Sequence, residues 1–215
     1  MYVCGLCQKD HPCDTKARVD LPANCPCRDE DTAKKSRELY VGEDLKLARQ
    51  ACKTEYEGYR ERTRVEEIME FATNMGYKKI GIAHCMTFKE EAGIVYKIFT
   101  ANGFKVDTVC CKAGTFSKTE LGLGEYQVKK DWEGLCNPIG QALYLEKAGC
   151  ELAVIMGLCV GHDSLFIRNT KLPVTYLVVK DRLLGHNPVA ALYMSEKYMH
   201  DRLYPPTRRT GNIVD

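Results

Sequence analysis

Hydrophobic and polar positions alternate along this chain with two different periods, and the change between them falls near residue 78. From residue 63 the pattern is helical. Val65, Ile68, Met69, Ala72 and Met75 recur on one face, Thr63 with Glu66 makes a capping box, and Gly76 supplies the left-handed stop. Short apolar runs then alternate with amphipathic stretches: residues 79–83 (KIGIA), 104–109, 152–156 (LAVIM) and 174–179 (VTYLVV). Each run is too short for a helix and reads as a strand buried on both faces. Thr87 and Glu90 predict a second capping box, opening a helix that closes at Asn102-Gly103. Asn137-Pro138 places an N-cap and an N1 proline before a helix ending at Gly149, and Asn187-Pro188 opens a last one to about Leu203.

Strands alternating with helices predict an α/β fold: a three-layer parallel sheet of the Rossmann or flavodoxin kind, covered on both faces. Residues 29–76 read as a charged helical segment packing on it, 77–204 as the α/β domain and 205–215 as a tail. Residues 112–131 form a polar, glycine-containing excursion that reads as a lid. Residues 1–28 have too few apolar positions to make a core, so a metal or docking must order them.

Cysteine changes the picture most. The chain has twelve in 215 residues. There is no apolar leader at the N-terminus and no apolar stretch of membrane-spanning length, which predicts a cytoplasmic protein with reduced thiols. In that compartment dense cysteine reads as metal-binding or catalytic. The net charge of +2 gives no reason to expect nucleic acid. The chain lacks a phosphate-binding Gly-Lys-Ser/Thr loop, a dinucleotide Gly-x-Gly-x-x-Gly and a His-Glu-x-x-His.

Five cysteines sit where strands end or a helix begins: Cys85, Cys110, Cys111, Cys136 and Cys159. Ligands of open parallel sheets bind outside the carboxyl ends of the strands. The spacings are too long for a local knuckle and fit ligands gathered from successive βα units. Four or five thiolates at one edge make a soft, negative site, for which iron–sulfur clusters and zinc compete. A domain with its own core has little need of structural zinc, so an iron–sulfur cluster is the expectation, with Cys110 or Cys111 left to meet substrate. His84, His162 and His186 lie in strand-end loops, and His162 and His186 are the candidate proton donors. Lys112 and Lys118 either bind an anion or are solvated. Cys52 and Cys150 read as ordinary small hydrophobes.

The N-terminal run Cys4-x2-Cys7-x5-Cys13-x11-Cys25-Pro26-Cys27 has the spacing of one tetrahedral metal centre, with Cys4, Cys7, Cys13 and Cys25 as ligands. Either an iron–sulfur cluster or zinc suits it, and His11 is a substitute ligand.

These same residues carry a resemblance. The run Cys4-x2-Cys7-x5-Cys13-x11-Cys25-Pro26, Gly81-Ile82-Ala83-His84-Cys85, Cys110-Cys111-Lys112, Cys136-Asn137-Pro138 and Gly157-Leu158-Cys159-Val160-Gly161-His162-Asp163-Ser164 resemble the domain of unknown function 1847 family over nearly the whole chain, with Cys27 outside that pattern. That resemblance implies a metal-binding protein of the kind found largely in anaerobes, with no activity or catalytic residue attached. Cys85, Cys110-Cys111, Cys136 and Cys159 are also similar in inventory to the cysteine-rich cluster domains of heterodisulfide reductase, although that motif's terminal close pair is absent.

Three functions compete. One is a redox or sulfur-handling enzyme, an iron–sulfur oxidoreductase or desulfidase acting on a small molecule or redox protein. The second is a non-enzymatic electron, metal or cluster carrier or sensor. The third is a zinc-stabilised binding module.

Overall fold

The structure is a computed structural model that describes residue 2, residues 4–7, residue 13 and residues 21–128 and 132–204. The expected ligand His11, part of the excursion (129–131) and the tail from 205 lie outside the described residues. The chain divides into two compact units, residues 1–59 and residues 60–215.

In the first unit, Asp29 caps α1 (Glu30–Leu39) by accepting from the Thr32 amide at 3.0 Å. A second helix, α2 (Gly42–Gly58), follows after a short break. The predicted helical character of this region is present, with few apolar positions to bury.

The second unit opens with α3 (Arg64–Met75), where the Thr63–Glu66 capping box forms and Gly76 ends the helix at φ 80°. Four strands make one parallel sheet: β1 (Lys79–His84), β2 (Lys105–Cys110), β3 (Leu152–Met156) and β4 (Val174–Val178), in the order β2-β1-β3-β4. All five residues of β3 are buried, and so are five of the six in β1. These are the central strands, as their unbroken apolar runs require.

Between them run α4 (Lys89–Ala101), α5 (Pro138–Lys147) and α6 (His162–Arg168). The connection from β1 to β2 steps one way and that from β2 to β3 steps back past β1. Right-handed crossovers therefore put α4 and α5 on opposite faces. The reversal lies between β1 and β3, the place where such sheets open a crevice at their carboxyl edge.

Two helix expectations change. Phe88, not Thr87, precedes α4, and no side chain caps that helix. The Thr87 hydroxyl points instead at Cys85 Sγ, 3.4 Å away. The C-terminal helix is broken into α7 (Val189–Tyr193) and α8 (His200–Leu203). Leu192, Tyr193 and Tyr198 are exposed while Met199 is buried, so no continuous apolar face is buried to hold a long helix together. The excursion is ordered over its described part. Ser117 and Glu120 make a capping box, and Ser117 bridges to Gly134.

Candidate functional site

Register brings the strand-end residues level. His84 of β1 lies opposite both Cys110 of β2 and Met156 of β3. The ladder continues one step further, with the Cys85 amide donating to Met156 O at 3.1 Å and the Cys111 amide donating to His84 O at 2.8 Å. Cys85 and Cys111 thus leave the sheet side by side. Cys136 is brought to them from 25 residues away by the Asn137 amide, which donates to Cys111 O at 2.7 Å. Asn137 also caps α5 through the Gly140 amide (2.9 Å), while its Nδ2 donates to the carbonyls of Ala113 and Gly114. Cys159 follows β3 by three residues, across the crevice.

Two cations that the sequence reading passed over complete the group. Lys180, two residues beyond β4, is buried at 9 % exposure. Its Nζ donates to Cys85 Sγ at 2.7 Å, approaches Thr87 Oγ1 at 3.4 Å and Cys159 Sγ at 3.7 Å, and sits 5.8 Å from the centroid of the Phe88 ring. Arg182 Nη2 donates to Cys159 Sγ at 3.0 Å. Among the described residues neither cation, nor Lys112, is ion-paired with a carboxylate. The charge they face is therefore sulfur. Both lie just past a strand end, as the cysteines do, which is the one signal the sequence carries for them.

The thiols differ in their electrostatics. Burial alone would push Cys85 up, but hydrogen bonds from Lys180 and Thr87 outweigh it and hold the thiol at about 7. Cys111 and Cys136 shift each other's protonation in opposite directions. The hydrogen bond from Cys111, reinforced by His162 and Lys112, holds Cys136 down at about 3. The same contact with Cys136, together with burial, drives Cys111 strongly upward. Cys111 also accepts from the Met86 amide at 3.3 Å, and the pair releases its first proton easily and its second with difficulty.

The remaining candidates separate cleanly. Cys110 packs at the margin of the core and makes no polar contact with the other four cysteines among the described residues. His84 is buried and its Nδ1 donates to Cys85 O at 2.9 Å, a satisfied core histidine. His162 opens α6 against Cys136. His186 adopts φ 65°, accepts from the Asp181 amide at 3.1 Å and packs its ring on Phe88, 4.6 Å between centroids. Lys118 is taken up by Glu133 at 2.8 Å. Cys150 is buried beside Asp107 at the opposite edge of the sheet, where burial and that carboxylate raise it to about 11. Cys52 is exposed on α2.

In the first unit Cys4 and Cys7 share one turn, closed by the Cys7 amide on Cys4 O at 3.1 Å. Cys25 and Cys27 share another, around Pro26. The Cys25 and Cys13 sulfurs reach Cys27, and the hydrogen bond with Cys25 leads in holding its thiol above the ordinary value. Cys27 thus belongs with Cys13 and Cys25.

Among the described residues no three His, Cys, Asp or Glu side chains are arranged to hold a single metal ion. The strand-end donor set is nonetheless all sulfur, spread over four loops and faced by uncompensated cations. No helix among the described residues is long and apolar enough to cross a membrane.

The model of a family described as protein of unknown function (DUF1847) matches residues 25–177. An uncharacterized protein of Methanocaldococcus jannaschii is 42% identical over 167 residues, covering 78% of this chain and 86% of the relative. The chain belongs to the DUF1847 family. The likeness to heterodisulfide reductase rests on the cysteine inventory alone.

Proposed function

We propose that this DUF1847 protein is an iron–sulfur-cluster protein acting in redox or sulfur-handling chemistry, with its working site at the carboxyl edge of the sheet and a second metal centre in residues 1–28. The observation that carries the reading is the set Cys85, Cys111, Cys136 and Cys159, delivered from successive βα units to one crevice and faced by Lys180, Arg182 and Lys112 without a carboxylate. Cys85, Cys111, Cys136 and Cys159 would hold the cluster, and when bound it supplies one-electron transfer.

The chain's own residues do the rest. Lys180 and Arg182 donate to sulfur and hold negative charge there, as hydrogen bonds to ligand sulfurs do in such sites. His162, against Cys136, holds or delivers a proton at that sulfur. Cys136 and Cys159 are partly exposed, so a substrate or redox partner approaches from their side. Cys4, Cys7, Cys13, Cys25 and Cys27 offer the N-terminal ligands, for iron–sulfur or zinc.

The test is iron, zinc and acid-labile sulfide on protein purified without oxygen, with spectra before and after dithionite. The expected result is iron with matching sulfide, partly lost in the Cys136→Ser/Cys159→Ser double variant and separately lost in Cys4→Ser/Cys7→Ser. Zinc without sulfide would sink the reading and leave a zinc-stabilised carrier or binding module.

A further inference from the structure

We propose that Arg182 is an anion-binding residue, receiving beside Cys159 the oxyanion group of a small-molecule substrate: a carboxylate, a phosphate or a sulfur oxyanion. This names a substrate class for the redox site proposed above. It rests on that reading only for the site's having a small-molecule substrate, and the binding itself needs no cluster.

The surroundings of the guanidinium carry the inference. Its Nη2 donates to Cys159 Sγ at 3.0 Å, so the sulfur engages one corner of a planar fork whose geometry suits two oxygens. Lys180 Nζ stands 3.7 Å from the same sulfur. The two cations differ in access. Lys180 is buried, whereas Arg182 is exposed to solvent beyond its contact with Cys159.

Each of the two loops that meet here carries a carboxylate that could have neutralised this charge, and each carboxylate is turned to its own loop. Asp181 Oδ1 accepts from the Leu183 and Leu184 amides at 3.0 and 2.9 Å. Asp163 Oδ1 accepts from the Gly161 and Ser164 amides at 3.0 and 2.8 Å. Two cations therefore converge on one half-buried sulfur, and among the described residues neither is ion-paired with a carboxylate. A crevice lined by one sign of charge concentrates small ions of the other sign.

The loop that presents Arg182 is closed on itself. The His186 amide donates to Asp181 O at 2.8 Å, and the Asp181 amide donates back to His186 Nδ1 at 3.1 Å. His186 adopts φ 65° to do so, a conformation few non-glycine residues take. Its ring packs on Phe88, the ring that Lys180 also approaches. Backbone held in this region by its surroundings clusters at ligand clamps and active sites. An exposed arginine on a slack loop would be ordinary. Here the loop is tied at Asp181 and His186, and the guanidinium between them is bonded to a cysteine of the site.

The experiment uses the full wild-type chain purified without oxygen, with iron and sulfide measured on the same sample. A timed pulse of phenylglyoxal, which modifies accessible guanidinium groups, is followed by peptide mass at each arginine. Acetate, phosphate and thiosulfate are each added at about 10 mM, ten times the ~1 mM dissociation constant of a weak site, against chloride of equal ionic strength. Modification of Arg182 should slow about tenfold, the ratio of anion to dissociation constant, with at least one of the three. Arg168, exposed on α6, should be unaffected. The anion that protects tells carboxylate, phosphate and sulfur oxyanion apart. Calorimetry with that anion should show binding in Arg168→Gln and none in Arg182→Gln, two variants that lose the same charge.

Equal rates at Arg182 in chloride and in all three oxyanions overturn the inference, and so does equal slowing at Arg168. Iron and sulfide without protection would sink the anion site and leave the redox reading standing. Protection without iron or sulfide would do the reverse. Because protection is read on the wild-type chain, a variant that fails to fold does not blur the answer.

Discussion

The ammonium of Lys180 lies 2.7 Å from the sulfur of Cys85, buried at the carboxyl edge of the sheet between β1 and β4, with no carboxylate to pair with among the described residues. A buried ammonium is costly unless an anion faces it. The sulfur is the anion available, so Lys180 pairs with Cys85 to the extent that its thiol is ionised, or with the sulfur of a bound cluster.

Replacing Lys180 by Met keeps an unbranched side chain and removes the charge that sits 5.8 Å from the centroid of the Phe88 ring. In metal-free protein Cys85, at about 7, is about half ionised at pH 7. Without the ammonium, burial dominates and the thiol rises past its ordinary value, leaving about a hundredth or less as thiolate. Alkylation of Cys85 at pH 7, followed by peptide mass, should slow by ten-fold or more in Lys180→Met. An unchanged rate would show that Lys180 does not set the charge of Cys85.

The same pair predicts a pH dependence of stability. The folded-state value of Cys85, about 7, lies below that of a thiol in the unfolded chain. The folded state then binds fewer protons than the unfolded state across the interval between them, so stability rises with pH there. The contribution is complete above the unfolded value, about 8.5, and is lost as pH falls through 7. Urea midpoints of metal-free wild type should climb between pH 7 and 9 relative to Lys180→Met. Parallel curves for the two proteins would contradict the assignment.

Much of this was legible in the chain, because the features concerned are local. The apolar runs at 79–83 and 152–156 mark strands that are buried in the structure, and Thr63 with Glu66 and Asn137 with Pro138 mark helix starts that form. Cys85, Cys111, Cys136 and Cys159 could be expected at one edge because parallel strands end on the same side. Lys180 and Arg182 escaped because a Lys-Asp-Arg run after a strand looks like any solvated surface; only the fold shows that Lys180 turns inward. Thr87 escaped for the opposite reason. Its spacing to Glu90 satisfies a capping pattern, but the sulfur of Cys85 takes its hydroxyl. Cys110 and Cys111 are indistinguishable in sequence, and the turn after β2 alone decides that Cys111 faces the group.

Gly157 ends β3 at φ 61°, and a side chain there would run into the ring of Phe88. Phe88 in turn supports His186 and lies beneath Lys180. Gly157→Ala combines a left-handed conformation for a residue with a Cβ and an overpacked contact, together costing about 3 kcal/mol. Thermal unfolding should register that loss. Gly149→Ala, also at positive φ but with open space around it, should cost only about 1 kcal/mol. The two substitutions share the backbone penalty, so the difference between them measures the contact with Phe88.

Asn137 joins the local and the long-range parts of the site. Its carbonyl oxygen accepts from the Gly140 amide and caps α5, while its Nδ2 ties the cap to Ala113 and Gly114 beyond β2. Asn137→Ala loses both and should destabilise the protein by about 2 kcal/mol. Asn137→Ser restores the cap but not the tie, since its hydroxyl is too short to reach across. If the tie positions Cys136, Ser recovers about 1 kcal/mol of stability yet leaves the alkylation rate of Cys136 altered as in Ala. Stability is read by urea unfolding and reactivity by peptide mass after a timed pulse of iodoacetamide. A serine variant restored in both would assign Asn137 to the helix alone, and the backbone bond from its amide to Cys111 O would then suffice to hold Cys136 in place.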